Sequence, residues 1–261
     1  MLSPDARAAL VIGHPGHELR VFHWLEVTQP SVFVLTDGSG RSGRSRLAST
    51  TRILEQTGGR PGAFYGKLSD SDAYAAILNR DADLFADCAR QLARHFMDER
   101  IDYVVGDALE GYNPVHDLCR LIIGLAVEIA NRSARLKIAN YDFSLAGHPI
   151  GPPEANGRQG IRLQLDDDSM TRKLAAAAGY TEIGFDVQEA IGKHTVEAFR
   201  VECLRPVSNC DRGDRFLIEP PYYEQYGAQQ VAAGHYREVI HYRKHFLSLA
   251  SSLWQNLGVE G

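Results

Sequence analysis

Short apolar runs alternate with amphipathic helical stretches through the first half of this chain, and that rhythm admits few folds. Residues 8–13 (AALVIG) form a β-rich run, and 17–27 (HELRVFHWLEV) carry apolar residues at helical spacing. Residues 31–36 (SVFVLT) read as a second strand, and 46–59 (RLASTTRILEQTGG) as a helix closed by a glycine C-cap. Residues 62–66 (GAFYG) supply a third strand and 81–99 a strongly amphipathic helix. A fourth strand at 102–107 (DYVVGD), a helix at 115–133 and a fifth strand at 136–143 (LKIANYDF) complete the series. This β-α-β-α order predicts a Rossmann-like α/β fold, three layers deep, with a mainly parallel sheet and helices on both faces. Such sheets bind ligands beyond the carboxyl ends of their strands. The loops after strands one, two and four are 13–18 (GHPGHE), 37–43 (DGSGRSG) and 108–117 (ALEGYNPVHD), and they are expected to meet at that edge.

Beyond about residue 155 the pattern changes. Residues 160–168 and 196–206 read as strands, with helices at 170–180 and 186–194 between them. The tail holds PPYYEQYG (220–227) and then a long segment, 228–257, that reads as one helix. The expected division is a main domain over 1–205 and a helical extension over 206–261 packed on it.

Composition narrows the function classes. With 44% hydrophobic and 23% charged residues the chain reads as soluble and globular. At 261 residues it buries enough surface to fold without disulfides or structural metals, so any metal site is expected to be functional. The net charge of -5 and the lack of a Lys/Arg-rich run argue against nucleic-acid binding. Cys88, Cys119, Cys203 and Cys210 form no CxxC pair and read as reduced thiols. No signal-like N-terminus and no membrane-spanning apolar stretch is seen, so the expected location is the cytoplasm.

Three of the 10 histidines stand apart. His14 and His17, at i and i+3 after the first strand, can turn two imidazoles to one side. His116 closes the loop after the fourth strand, which is able to lie beside the first where the strand order reverses. Three converging imidazoles match a catalytic zinc site with one open position. A lone histidine is more often a surface or helix-end residue, and spacing alone allows three unrelated ones.

VIGHPGHELR resembles the opening motif of the PIG-L/LmbE-like de-N-acetylases, a strand running into [AG]-H-P-D-D-E. His14, Pro15 and Glu18 match, while Gly16 and His17 replace the two aspartates. VFVLTDGSG is similar to the family's V-x-T-D-G-x-x-G, with Asp37, Gly38 and Gly40 matching. Arg46 stands at the arginine opening the next helix, and Ser49 replaces a glutamate three residues on. EGYNPVHD resembles E-G-G-H-P-D-H-D through Glu110, Gly111, Pro114, His116 and Asp117, with Asn113 and Val115 replacing a histidine and an aspartate. Residues 170–180 and 196–199 resemble two late segments, so the likeness spans roughly 8–205.

This resemblance implies a metal, usually zinc, held by His14, His17 and His116. Replacing an aspartate ligand by His17 removes one negative charge from the site but keeps a good donor. Fe2+ is the alternative cation for three histidines. The family's general base falls on Gly16, which cannot accept a proton, so Asp37, Glu18, Glu110 and Asp117 are the carboxylates considered in its place. Asn113 retains an amide able to donate to an oxyanion. Arg46 is expected to position the substrate, with Glu110 beside it. The implied reaction is metal-dependent removal of an N-acyl group, chiefly acetyl, from an amino sugar that is small or lipid-linked. The alternative is a sugar- or metal-binding member of the same fold with no hydrolytic activity or with different chemistry.

Two further patterns weigh less. GSGRSG (38–43) fits G-x-G-x-x-G but follows the second strand and lacks a ribose-binding acid about 20 residues on, which argues against a dinucleotide. Its Arg41 and Arg44 are either a solvated basic loop or contacts for an anionic group on the substrate. Tyr222, Tyr223, Tyr226, Tyr236 and Tyr242 in the tail read as helix packing or a homo-oligomer contact, with a sugar-facing aromatic rim as the alternative. His235, His241 and His245 read as surface residues of the tail helix.

Overall fold

A computed structural model describes residues 6–134, 137–150, 154–155, 158–207 and 219–258. The chain runs β1 (Ala8–Ile12), α1 (Phe22–Thr28), β2 (Ser31–Thr36), α2 (Leu47–Thr57), β3 (Arg60–Leu68), α3 (Asp70–Asn79), α4 (Ala82–Asp98), β4 (Tyr103–Asp107), α5 (Pro114–Ala134) and β5 (Ala139–Phe143). A hairpin of two short strands follows, β6 (Glu154–Ala155) and β7 (Arg158–Gln159). Then come β8 (Ile161–Gln164), α6 (Asp167–Gly179), α7 (Gly184–His194), β9 (Val201–Pro206), α8 (Tyr222–Ala232) and α9 (Ser248–Asn256). Seven strands form one sheet in the order β3-β2-β1-β4-β5-β9-β8. β1 to β5 are parallel, and β9 and β8 run antiparallel at one edge. The expected α/β architecture with a mainly parallel sheet is therefore present, and β1 lies beside β4 where the strand order reverses.

Alternation along the central strands explains the three layers. Ala9, Val11, Phe33, Leu35 and Val104 point into one core with α3, α4, α5 and α9. Leu10, Ile12, Val32, Val34 and Val105 point into the other with α1, α2 and α6. Successive side chains of a strand face opposite sides, so a sheet covered on both faces needs continuous apolar runs. The tail completes the first layer: Tyr242, Phe246, Leu249, Leu253 and Trp254 are buried there, with α9 against α4 and the turn before it against α3. Among the described residues no helix is long and apolar enough to cross a membrane. Cys88, Cys119 and Cys203 are buried free thiols, and Cys210 lies outside the described residues.

Three local expectations are corrected. Residues 17–27 do not form one α-helix: His17–Val21 is a 3-10 turn, and α1 begins only at Phe22. Residues 196–200 are a 3-10 turn that precedes β9 rather than its first half. The tail is not one helix. α8 stops at Ala232, Gly234 takes φ 75°, and a π-helical turn at Tyr242–Leu247 leads into α9. The Glu224 carboxylate takes the Tyr242 N–H at 2.7 Å and His241 Nδ1 at 2.9 Å, folding the tail back on α8. The sequence also hides α3, which Ser69 caps by accepting the Asp72 N–H at 3.1 Å.

A buried ion pair fixes α6 to the sheet. Glu202 of β9 accepts from Lys173 Nζ at 2.8 Å and from the N–H groups of His23 and Trp24 at 2.9 and 2.8 Å. One carboxylate thus joins β9, α6 and the start of α1.

His245 is 2% exposed, contrary to its surface reading, and its Nδ1 accepts the His241 N–H at 2.9 Å. Burial lowers its pKa below the ordinary 6.5; Lys244, His241 and Arg80 push the same way and Glu238 opposes. Above pH 6.5 the ring is neutral in both folded and unfolded chains, and the fold loses nothing. Below it the unfolded chain takes up a proton that the folded ring resists, so stability falls as pH falls, by at most about 1.4 kcal/mol per pH unit. Urea unfolding of wild type and His245→Asn at about pH 7.5 and about pH 5.5 checks this, with the smaller drop expected in the variant.

Candidate metal centre

The expected meeting of three loops occurs at the carboxyl ends of β1, β2 and β4. The Thr36 N–H donates to the Gly13 carbonyl at 2.9 Å, and the Gly13 N–H to Asp107 Oδ2 at 2.7 Å, so the three strand ends are laced together. His14 and His17 come from the β1 loop, and His116 from the first turn of α5. Their ring centroids lie 5.3, 5.0 and 4.4 Å apart, and one potential ligand atom from each falls within 4.8 Å of the others. His14 and His116 are 5% and 8% exposed. Burial, then neighbouring histidines and Arg46, hold both well below the ordinary histidine pKa, so both rings are neutral near pH 7. A neutral imidazole is the metal-binding form.

His17 is oriented from behind. Its Nδ1 sits 3.0 Å from both oxygens of Asp107, a carboxylate with no exposure at the end of β4. The carboxylate fixes the tautomer with the proton on Nδ1, which leaves the Nε2 lone pair free. Asp107 returns to the cluster, one bond further out, the negative charge that a histidine at position 17 lacks. Nδ1 of His14 and of His116 is buried with no hydrogen-bond partner among the described residues. Neutral buried rings, unpartnered nitrogens and a carboxylate-backed third imidazole fit a divalent transition metal such as zinc.

The considered carboxylates divide by their partners. Glu18 is fully buried and accepts the Gly16 N–H at 2.7 Å, and burial raises its pKa. Glu110 accepts from Ser144 Oγ and from the N–H groups of Leu145, Ala146 and Gly147 at 2.6–3.0 Å, which anchors the loop after β5. Asp117, also buried, accepts the N–H groups of Glu110 and Gly111, and burial raises its pKa to about 8. Asp37 accepts the Ser39 N–H at 2.9 Å in a tight turn and stays partly exposed. Arg46 donates Nε to the Gly38 carbonyl at 2.5 Å, and its charge reaches His14 and His116. Asn113 caps α5: Oδ1 accepts the Val115 N–H at 2.8 Å, and Nδ2 donates to Tyr74 Oη at 3.1 Å. Val115 is fully buried in the core.

Three residues at the site escape sequence reasoning. Asp107 ends an apolar strand and reads as a strand terminus. Asp70 and Tyr74, at i and i+4 on α3, lie in a helix the pattern does not reveal. Asp70 Oδ2 accepts the Gly40 N–H at 2.7 Å, while Oδ1, 3.6 Å from His14 Nε2, is buried with no hydrogen-bond partner among the described residues. The one available signal is the acidic run S-D-S-D before an apolar stretch, a helix-start pattern.

Gly16 itself has a steric explanation. Its φ is 108°, and a Cβ there would lie 2.8 Å from Ile183 Cδ1. The space an aspartate side chain would need is filled by Ile183. Gly16→Asp is expected to destabilise the fold by about 1–3 kcal/mol, read as a lower urea midpoint, through strain at a conformation reserved for glycine. An unchanged midpoint would contradict that packing.

No protein-family model matches the chain, and no curated protein matches it. Among solved structures it is similar to a conserved protein from Thermus thermophilus, at 14% identity and TM-score 0.48 over 77% of this chain and 94% of that one. It is also similar to a triple mutant of a deacetylase of the teicoplanin biosynthetic pathway, at 12% and 0.48 over 79% and 100%. The zinc-inhibited form of teicoplanin deacetylase Orf2 is similar at 11% and 0.43 over 68% and 85%.

Proposed function

We propose that this chain is a metal-dependent hydrolase that removes an N-acyl group, chiefly acetyl, from an amino sugar in a glycan or glycolipid intermediate. The observation carrying this reading is the convergence of His14, His17 and His116 at the switch point of the sheet, with Asp107 behind His17. The sequence resemblance in the HPGHE and NPVH loops gives that cluster its reaction class. On this reading residues 1–205 are the catalytic domain, and 206–261 a helical extension packed on it.

A zinc ion held by the three histidines would polarise the acyl carbonyl and acidify the attacking water. Asp107 keeps the His17 proton on Nδ1 and so keeps Nε2 a donor. Asp70 Oδ1, buried without a hydrogen bond among the described residues and 3.6 Å from His14 Nε2, supports Asp70 as the proton acceptor in place of the aspartate absent at position 16. Asp37, partly exposed at the same edge, is the second candidate. Glu18, Glu110 and Asp117 keep their loops in shape through backbone N–H groups. The second hydrogen of Asn113 Nδ2, with the Tyr74 hydroxyl beside it, holds the oxyanion. Arg46 orients the substrate.

Elemental analysis of purified wild type beside His116→Ala tests the reading. Near-stoichiometric zinc in the parent, lost in the variant, is expected, together with acetate release from N-acetyl amino sugars. Asp70→Asn is expected to keep its zinc and lose about 10²–10⁴-fold in kcat. Iron in place of zinc would point to redox chemistry. No metal in the parent after reconstitution would overturn the hydrolase reading and leave a binding protein.

A further inference from the structure

Two of the clustered histidines are held in different ways. Asp107 bonds His17 Nδ1, whereas His116 Nδ1 is buried with no hydrogen-bond partner among the described residues. An imidazole without that support takes its orientation from what packs against it. Besides His14 and His17, the ring beside His116 is Tyr112, in the loop before α5, with centroids 6.4 Å apart and planes at 37°. Tyr112 opens a column. Tyr222 of α8 stacks on it at 5.1 Å and 3°, Tyr226 follows at 5.9 Å and 21°, and Tyr236 closes the outer end at 6.4 Å and 76°. Each step lies within the roughly 4.5–7 Å spacing of interacting aromatic pairs. The column joins His116 to the tail.

The tail holds its end of the column firmly. Tyr222 and Tyr226 share one face of α8 at i and i+4. The Tyr223 N–H donates to the Gly111 carbonyl at 3.2 Å, and the Tyr223 side chain is buried in the core, so the first turn of α8 is fixed to the loop that carries Tyr112. Glu224 ties that turn to His241 and Tyr242, and the Tyr236 N–H donates to the Gln230 carbonyl at 3.2 Å. Tyr222 itself is 51% exposed, so removing its ring opens no cavity in the core. What its ring supplies is contact with Tyr112 and Tyr226.

We propose that Tyr112 and Tyr222 are positioning residues for His116, so that the first turn of α8 completes the metal site from the tail; this rests on the metal-site part of the reading above. Tyr112 stands between His116 and Tyr222, and Tyr222 limits the rotamers open to it. Without the Tyr222 ring, the half-exposed Tyr112 side chain regains freedom, and the His116 ring loses the neighbour that limits its own. A metal must then order that ring as it binds, which weakens binding. Support from behind a ligand is carried for His17 by a carboxylate and for His116 by stacked rings.

The test measures zinc affinity of the full chain by competition with a chromophoric chelator, beside the visible spectrum of the cobalt-substituted protein. Tyr222→Ala is expected to bind zinc about tenfold more weakly than wild type and to shift the cobalt bands. Tyr222→Phe, which keeps the ring, is expected to match wild type in both. Tyr222→Leu keeps bulk without a flat face, and the same loss is expected there should the alanine variant loosen the tail. Tyr226→Ala, one ring further out, is expected to lose less. Wild-type zinc affinity and cobalt bands in Tyr222→Ala and Tyr222→Leu, with only the urea midpoint lowered, would overturn the proposal and leave the column as a support of the tail. Zinc bound by the parent would in that case still support the hydrolase reading. An equal loss in Tyr222→Phe would overturn the proposal too, since the ring is kept. No uptake of zinc or cobalt by wild type would overturn both together.

Discussion

The arrangement of this molecule turns on one buried carboxylate, Asp107. It ends β4 with no exposure to water, and a carboxylate so placed is costly unless its oxygens are bonded. The partners come from the loop after β1: the Gly13 N–H at 2.7 Å and the His17 ring at 3.0 Å. Position 13 must be small for this approach, since a Cβ there would stand 3.0 Å from Asp107 Oδ2. Satisfying one charge therefore sets the path of the β1 loop, the direction of His17 and the spacing of the histidine cluster. Stability and site geometry share a single interaction.

The other buried carboxylates follow the same physics with different outcomes. Glu202, Glu18, Glu110 and Asp117 each end on backbone N–H groups that their loops would otherwise leave unpaired. Such bonds organise irregular backbone where no ladder can. Asp70 differs in position: Oδ2 accepts the Gly40 N–H, and Oδ1 lies 3.6 Å from His14 Nε2.

The tail contributes on two sides of the molecule. Its second half, from Tyr242 to Trp254, supplies apolar side chains to the layer against α3 and α4. Its first half, α8, lies against the β4–α5 loop and brings Tyr222 to Tyr112. Glu224 links the two halves by bonding the backbone at Tyr242. The turn between them exists because Gly234 takes a left-handed conformation that ends α8.

The strands, most helices and the edge at which the site forms were legible in the sequence, because covered parallel strands demand apolar runs and amphipathic helices demand a 3.6-residue period. Their place after strands ending at that edge made the three histidines candidates, and the resemblance of their loops to a metal-binding motif singled them out. Asp107, Asp70 and Ile183 could not, because what defines them is contact between segments far apart in the chain: Asp107 with His17, Asp70 with His14, Ile183 with Gly16. The glycine at 16 reads in sequence as a lost aspartate, and only packing shows that Ile183 fills the space. The break in the tail was only partly hidden: Gly234 within 228–257 ends α8, while the bond from Glu224 to the Tyr242 backbone that folds the chain back is long-range. Local periodicity fixes which segments are strands and helices, whereas the partners of buried polar groups are set only when distant segments pack and exclude water.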